Sequence, residues 1–157
     1  SGPSQIAASE TVAASYTSTT GTVTVGTSSA TVPFGTKVFD THGMYNVSTG
    51  VATIPMPGKY RITASIRSTS AVSSTTIDYS VFLTLKKNST TGLRTIGTYA
   101  YQVNGASLSP YALGSCVVDF LAGDTFEVQI NRDSGVSSFN LSTSSAHTFL
   151  CFERIGN

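Results

Sequence analysis

The side chains that could perform acid–base or metal chemistry are few in this chain and widely spaced. Asp40 and His42 are two residues apart, so on a strand they would share one face and could form an acid–base pair or ligate a metal ion. The same stretch also fits a polar turn with solvated side chains, and we favour that interpretation. The second histidine, His147, is expected on the surface of the last strand. The histidines therefore predict no catalytic or metal site.

Carboxylates and serines give no catalytic set either. Glycoside hydrolysis needs two carboxyl groups about 5–10 Å apart in a cleft, and the nearest group in this sequence is Asp119, Asp124 and Glu127. Asp124 belongs to a turn motif, which leaves no recognisable pair. The Gly-x-Ser-x-Gly turn that presents the nucleophile of many hydrolases does not occur. We therefore expect no enzymatic activity, no catalytic residue, no metal and no cofactor.

Two cysteines, Cys116 and Cys151, lie in strand-like runs. We interpret them as small buried side chains, because free cysteine is among the most buried residue types. A disulfide would form only if adjacent strands brought the two Cα atoms within about 7 Å of each other. The spacing of the cysteines does not resemble a metal-binding motif.

The composition excludes two classes of partner. Apolar residues make up 39% of the 157 residues and charged residues only 11%, with a net charge of +1. The nine Lys and Arg residues are scattered, so the chain lacks the basic patch with which proteins neutralise nucleic-acid phosphates. No apolar run approaches the roughly 18 residues of a transmembrane helix. We therefore expect neither nucleic acid as a partner nor insertion into a membrane.

Strand signals recur along the chain, whereas helical periodicity does not. Residues 59–67, 77–86 and 125–131 alternate between the two faces of a strand, and stretches rich in Gly, Asn and Asp separate such segments. Many short strands of this kind are typical of a sandwich or barrel. We predict an all-β fold in which residues 11–157 form a single domain and residues 1–10 are a linker or an expression remnant.

Several stretches resemble the globular-head domain of complement component 1q, a jelly roll shared with the tumour necrosis factor (TNF) superfamily. The first half carries a spaced set of matching residues: Phe39, Tyr45, Asn46, Thr49, Gly50, Pro55, Pro57, Gly58 and Tyr60. In the second half, the Lys87–Asn88 turn, the Gly123–Asp124 motif with Phe126 and Val128, and the closing stretch "HTFLCFERI" agree. The resemblance covers roughly residues 34–155. It implies an antiparallel jelly-roll sandwich of about ten strands.

Three positions depart from the family pattern. Ala52 stands where Phe is usual, Ile62 where an aromatic residue is common, and Cys151 where Gly is frequent. The core must therefore be packed differently. Some family members bind calcium in apical loops, but the corresponding stretch "QVNGASLS" has no carboxylate, so we do not expect calcium here.

The resemblance also implies a homotrimer assembled around the strands that carry the chain ends. Aromatic residues would then meet near the threefold axis: Phe82, Tyr99, Tyr101, Phe149 and Phe152. The leading stretch "VAASYTSTTGTVTVG" is similar to versions found in phage tail and fibre proteins and in bacterial collagen-like proteins. The expected role is a structural and recognition head at the tip of such a protein, in the extracellular space or on the virion surface.

A ligand of such a head would bind through loops, which vary at low cost on a rigid scaffold. We expect binding segments at residues 68–76, 87–92 and 132–138. Lys87, Asn88, Arg132 and Asp133 are the candidate ligand-binding residues, and the last two form the most polar tip. The partner would be a glycan or protein on a host surface.

Two alternatives remain open from the sequence. One is a monomeric carbohydrate-binding sandwich with Tyr99, Tyr101 and Tyr111 as an aromatic platform, although the chain has no Trp, the residue that such platforms favour. The other is a capsid or coat decoration without a ligand. The sequence does not separate the latter from a recognition head, because one fold serves many functions.

Overall fold

The computed structural model describes residues 10–18, 21–24, 29–68, 72–73, 78–90, 92–102, 107–108, 111–134, 138–142 and 144–157. Within these ranges the chain forms strands and no helix, so none of the described segments is a helix that could cross a membrane. In chain order the strands are β1 (Ala13–Thr17), β2 (Gly21–Thr24), β3 (Ala30–Thr31), β4 (Thr36–Asp40), β5 (Tyr45–Asn46), β6 (Val51–Thr53), β7 (Gly58–Arg67), β8 (Val72–Ser73), β9 (Asp78–Lys87), β10 (Arg94–Gln102), β11 (Ser107–Leu108), β12 (Tyr111–Phe120), β13 (Thr125–Ser134), β14 (Ser138–Leu141) and β15 (Phe149–Gly156).

Two antiparallel sheets make up the body of the fold. One has five strands in the order β12-β7-β15-β1-β4. The other has six, in the order β10-β9-β13-β6-β5, with β3 also paired to β13. The described residues add two small two-stranded sheets, β11-β8 and β14-β2. The all-β prediction is confirmed, and the first and last strands are neighbours, because β1 pairs with β15.

The core lies between the two sheets and follows from the alternation of the strands. On β7, Tyr60, Ile62, Ala64 and Ile66 are all buried, whereas the side chains between them point out of the sheet. The facing strand β9 buries its own alternate residues in the same way. Strict alternation in the sequence therefore identified one inner face of each sheet correctly.

Aromatic rings fill the centre of the core. The ring of Phe120 lies 5.8 Å from that of Tyr60 and 5.7 Å from that of Phe126. Phe126 in turn meets Phe152 edge to face, with 5.0 Å between the ring centres. Phe152 is 1% exposed. The core of its own chain thus encloses the Phe152 side chain, and a role of Phe152 in a subunit interface stays a prediction.

The two sheets meet closely where the edge strands β10 and β12 cross. A Cβ atom added to Gly114 would lie 1.2 Å from the carbonyl oxygen of Ile96, and one added to Gly97 would lie 2.6 Å from that of Leu113. Only glycine permits backbones to approach in this way. The pairing of β10 with β9 shifts register between Thr95 and Gly97, and this shift leaves Ile96 buried at the crossing. The sandwich is therefore closed along this edge.

Candidate functional site

The outward side of the five-stranded sheet, called here the outer face, exposes a group of apolar side chains that includes Phe39, Tyr111, Leu113 and Val117. Three residue rows cross it in register: Thr17, Phe149, Ser65 and Leu113; Phe39, Ser15, Cys151, Thr63 and Ser115; and Ala13, Glu153, Arg61 and Val117. The middle row is made of small side chains apart from Phe39. The three rows together present mainly small and apolar residues.

Charge on the outer face is confined to its ends and to one internal pair. Arg61 donates to Glu153 at 3.4 Å, and both side chains are about half exposed. The polar groups of the middle row also satisfy one another. The hydroxyl of Thr63 donates to that of Ser115 at 3.0 Å, and Ser15 lies within 3.4 Å of the Cys151 sulfur. The middle of the outer face therefore presents little unsatisfied polarity.

A hollow of about 170 Å³ lies on one side of the outer face. It is lined by Ala13, Ala14, Phe39, Arg61, Thr63, Cys151, Phe152 and Glu153. Small residues of β1 and β15 lie beside Phe39 in this lining, whereas Arg61 and Thr63 of β7 and Glu153 of β15 make part of it polar. The Arg61–Glu153 pair forms part of its rim.

A ridge lies on the other side of the outer face, along β12. Tyr111, Leu113 and Val117 are 52%, 57% and 41% exposed. The opposite side of the same strand is also apolar, since Ala112, Val118 and Phe120 are buried. A group of exposed apolar side chains of this kind is typical of a surface that another molecule covers.

Among the side chains that the structure describes, those on the outward side of the six-stranded sheet are mostly polar by contrast. Its residues form a hydrogen-bonded network: Asn131 donates to Thr84, Gln129 donates to Glu127, and Thr31 donates to Glu127. Lys86 lies 3.8 Å from the same glutamate. Such a polar surface is stable in contact with water, whereas the outer face exposes apolar side chains.

The predicted interface residues do not form one surface. Phe149 is half-buried on the outer face, beside Ser65 in register. Phe82 is half-buried on the polar side of the six-stranded sheet, opposite Asn131. Tyr99 and Tyr101 lie on β10 of that same sheet, and their side chains fall outside the described part of the structure. A contact through the five-stranded sheet would use Phe149 but not Phe82.

The predicted ligand-binding pair Lys87–Asn88 is bound within the chain. The amide of Asn88 donates to Asp124 at 2.9 Å, and its oxygen accepts the backbone N–H of Thr125 at 2.8 Å. Lys87 donates to the carbonyl of Asp119 at 2.9 Å and covers the ring of Phe120. These contacts join the β9–β10 turn to the β12–β13 turn. A ligand would therefore compete with structural contacts at these two residues.

Asp124 is the common partner in this pair of turns. It accepts the backbone N–H of Leu121 at 2.8 Å in addition to the Asn88 amide. These hydrogen bonds, with the nearby Lys87 ammonium, hold the pKa of the Asp124 carboxyl below its usual value. The Gly123–Asp124 motif of the sequence therefore serves to hold the two turns together.

Arg132 and Asp133 do not form a loop tip. They lie in β13, where Arg132 pairs with Val81 of β9. The strand continues to Ser134 because the pairing shifts register between Arg132 and Ser134 and absorbs one residue. The side chains of both residues lie outside the described part of the structure. The loop assignment was wrong at these positions, and ligand binding by them stays a prediction.

The side chains of Asp40 and His42 bind different partners and do not pair with each other, as expected for a turn. Asp40 accepts the Tyr16 hydroxyl at 2.8 Å and the backbone N–H groups of Tyr45 and His42 at 3.0 and 3.2 Å. Burial raises the pKa of Asp40, but these hydrogen bonds outweigh burial and hold it below its usual value. Burial and the same carboxylate raise the pKa of Tyr16. The cluster fixes the loop between β4 and β5.

The two histidines have different surroundings. The ring of His42 lies between the Thr41 hydroxyl at 2.7 Å and the carboxylate of Glu10 at 3.0 Å. His147 lies in the turn before β15, half-buried, with Arg67 3.2 Å from Nε2. It is therefore neither on the last strand nor fully exposed, contrary to the expectation. Within the described ranges, no group of three or more His, Cys, Asp or Glu side chains could hold a metal ion.

The carboxylates considered for glycoside hydrolysis serve different partners. Asp124 belongs to the turn cluster, Glu127 belongs to the network on the six-stranded sheet, and Asp119 is exposed at the end of β12.

The two cysteines lie on different sides of the five-stranded sheet. Cys116 packs against the core, whereas Cys151 belongs to the outer face, and both are free thiols. Burial raises the pKa of the Cys116 thiol, and the nearby Arg94 lowers it by less.

Sequence reasoning missed the outer face as a site. Its main apolar members are Phe39, Leu113, Val117 and Cys151, and none of them was among the predicted interface residues. The stretch "YALGSCVVDF" did carry a signal, because both of its faces contain apolar residues. That pattern could have identified β12 as a strand with two covered sides.

Comparison with known proteins identifies which known fold the chain has. No family model matches the sequence, and no curated protein matches it significantly. Solved structures do match. Eiger TNF from S. frugiperda superposes with a TM-score of 0.63 at 12% identity, covering 94% of each chain. Murine APRIL at pH 8.5 gives 0.60 at 14% identity, covering 93% of this chain and all of the other.

A complement structure matches as well. The globular domain of zebrafish complement 1qA protein superposes with a TM-score of 0.54 at 19% identity, covering 92% of this chain and 95% of the other. At these identities the likeness is one of fold. The chain therefore has the antiparallel jelly-roll fold seen in TNF and complement 1q globular-head domains.

Proposed function

We propose that this chain is the head of a fibre or collagen-like surface protein and that it assembles as a homotrimer through the outer face. The observation that carries the proposal is the contrast between the two sheets. The outer face exposes Leu113, Val117, Tyr111 and Phe39, whereas the outward side of the other sheet is a polar network. The likeness to TNF and complement-head folds supports the same assembly.

The outer face has the composition of a permanent interface. Such interfaces are depleted in charge at their centre, enriched in aromatic and aliphatic residues, and commonly bury 2,000 Å² or more in total. Each square ångström of apolar surface removed from water contributes roughly 25 cal/mol. The central row of small residues allows two surfaces to approach closely, and its hydroxyl groups already have partners. Covering this face with a further copy therefore leaves few polar groups unsatisfied.

A matched pair of substitutions tests the assembly. Thr63 lies at the centre of the outer face on β7, and Thr53 is exposed on β6 of the other sheet. Light scattering after gel filtration should give three times the 16.3 kDa chain mass for the wild type and for Thr53→Arg. Thr63→Arg should give one chain, because an unpaired charge is then forced into the interface. A wild type that elutes as one chain at micromolar concentration would remove the proposal.

We further propose that the assembled head binds a glycan or protein on a host surface through its loops. Three identical heads present three copies of each loop, so weak individual contacts gain avidity on a repetitive surface. Arg132 and Asp133 are the residues to substitute, because Lys87 and Asn88 also hold the fold together. Arg132→Ala with Asp133→Ala should weaken binding to whole host cells without changing the chain mass. Unchanged cell binding would place the ligand site elsewhere.

The carbohydrate-module alternative has a weaker basis in the structure. Its platform would need Tyr99, Tyr101 and Tyr111 side by side, and these residues lie on the crossing edge strands β10 and β12, where only the Tyr111 side chain is described. Full-strength glycan binding by a monomeric variant such as Thr63→Arg would favour that alternative. Decoration without a ligand predicts a three-chain mass and no cell binding.

A further inference from the structure

An aromatic ring lies among amide and hydroxyl groups on the outward side of the six-stranded sheet. Phe82 is opposite Asn131, and Thr84 is opposite Gln129, on the neighbouring strands β9 and β13. Leu83 between the two β9 residues is buried in the core, so Phe82 and Thr84 point away from it. The four residues, called here the polar patch, therefore adjoin one another on one side of the sheet.

The side-chain oxygen of Gln129 is buried without a hydrogen-bond donor from the described part of the chain. Gln129 is only 9% exposed. Its amide nitrogen donates to Glu127 at 3.0 Å, which turns the amide oxygen away from that carboxylate. No described group donates to the Gln129 oxygen. A buried acceptor left without a donor destabilises the fold, and a hydroxyl group of another molecule at this point would satisfy it.

Asn131 and Thr84 add two further hydrogen-bonding atoms beside Gln129. The Asn131 amide nitrogen donates to the Thr84 hydroxyl oxygen at 2.8 Å. This bond leaves the Asn131 oxygen as an acceptor and the Thr84 O–H as a donor. Neither has a partner among the residues that the structure describes. With the Gln129 oxygen, the polar patch thus offers two acceptors and one donor on adjoining residues.

The charged groups next to the polar patch already neutralise one another. The Glu127 carboxylate accepts hydrogen bonds from Thr31 and Gln129, and it lies 3.8 Å from the Lys86 ammonium. The four residues of the patch carry no charge. A charged ligand would lose hydration here and gain no opposite charge in return. The patch is therefore suited to an uncharged ligand that carries several hydroxyl groups.

We propose that the polar patch binds a neutral saccharide, with one sugar ring against Phe82 and its hydroxyl groups bonded to Gln129, Asn131 and Thr84. Sugar hydroxyl groups both donate and accept hydrogen bonds, as the patch requires. The C–H groups on the face of a sugar ring cover the half-buried Phe82 ring and remove apolar surface from water. The inference rests on the proposed function in one respect, namely that assembly through the outer face leaves this sheet uncovered.

Binding of short soluble oligosaccharides tests the polar patch. An array of neutral and acidic glycans selects the sugar, and calorimetric titration with a soluble form of it gives the Kd. Thr84→Val keeps the side-chain shape without the hydroxyl, so the Kd should rise about three- to ten-fold. Phe82→Ala should raise the Kd at least about ten-fold, because the sugar then has no ring to cover. Thr53→Val, an exposed position at the far end of the same side, should leave it unchanged.

The outcomes for the polar patch and for the homotrimer are independent. A short oligosaccharide gains no avidity, so the monomeric Thr63→Arg variant should bind it with the wild-type Kd. The inference is overturned if no neutral glycan binds, if only acidic glycans bind, or if folded Thr84→Val keeps the wild-type Kd. Each of these results leaves the homotrimer intact. A one-chain mass for the wild type removes the homotrimer and leaves the saccharide site in place.

Discussion

At the scale of the residue, Asp40 holds the loop between β4 and β5 through hydrogen bonds from Tyr16, His42 and Tyr45. Asp40→Asn removes the negative charge that these donors favour, and we expect a loss of about 1 kcal/mol in the free energy of unfolding at pH 7. Urea unfolding at neutral pH, compared with Asp119→Asn at an exposed position on β12, measures this loss.

The pH dependence of stability gives a second test of Asp40. Its pKa is lower in the folded chain than the ordinary value of 3.8, so its contribution is present above that value and is lost as pH falls through the folded pKa. The wild type should therefore lose stability as the pH falls below the ordinary pKa of 3.8, and the loss should be smaller in Asp40→Asn. Identical pH profiles for the two proteins would show that the carboxylate is not held by these bonds.

Asn88 combines an unusual backbone conformation with two side-chain bonds. Its φ is 53°, in the left-handed region, and its amide joins the β9–β10 turn to the β12–β13 turn. Asn88→Gly keeps that conformation accessible and removes only the side chain, so we expect a loss of about 1–3 kcal/mol from the missing hydrogen bonds. Ser89→Gly is the matched control, because Ser89 has a φ of 57° and is exposed. Equal stability of the two variants would leave Asn88 free to serve a ligand instead.

At the scale of the element, the crossing of β10 and β12 depends on the absence of a Cβ at Gly114. Gly114→Ala would place a methyl group on the backbone of Ile96, and neither strand can move without breaking its ladder. We expect a loss of about 3 kcal/mol or more in chemical denaturation, at the upper end of the cost of overpacking. Gly156→Ala, where an added Cβ meets nothing within 4 Å, should change stability by less than about 0.5 kcal/mol.

The last strand, β15, divides core residues from outer-face residues by simple alternation. Phe152 contacts Phe126 in the core, so Phe152→Ala should cost about 3–5 kcal/mol of unfolding free energy. Leu113→Ala on the exposed ridge should leave the stability of the single chain nearly unchanged and weaken assembly instead. Dilution series by light scattering, together with denaturation of a monomeric variant, separate the two effects. Loss of assembly in a stable Phe152→Ala variant would contradict the assignment of Phe152 to the core and not to the outer face.

The strands that could be predicted from the sequence are those in which apolar residues alternate with polar ones. β7 and β13 alternate clearly because one side of each strand packs in the core and the other side carries mostly polar residues. β1 was not recognised, since its outward residues Ala13, Ser15 and Thr17 are small and resemble loop composition. The end of β13 was taken for a loop, because local turn signals do not reveal a register shift that lets the strand continue.

At the scale of the whole molecule, the site could not be predicted because the outer face exists only through the order of the strands. Its rows join residues from β4, β1, β15, β7 and β12, which are far apart in the chain. Phe82, one of the predicted interface residues, lies instead on the six-stranded sheet, opposite Asn131. The apolar residues that form this surface are spread unevenly over the strands: β12 contributes three of them and β7 contributes none.

The accessibility of Cys151 tests most directly whether copies of this chain cover the outer face. Its thiol lies in the middle row of that face, next to the hollow. The measurement is the rate of maleimide labelling at Cys151, located by mass spectrometry, over a range of protein concentrations. We predict labelling at least about ten-fold slower in the wild type than in Thr63→Arg at micromolar concentration, with the difference vanishing on dilution. Equal rates in the two proteins at every concentration would contradict the account.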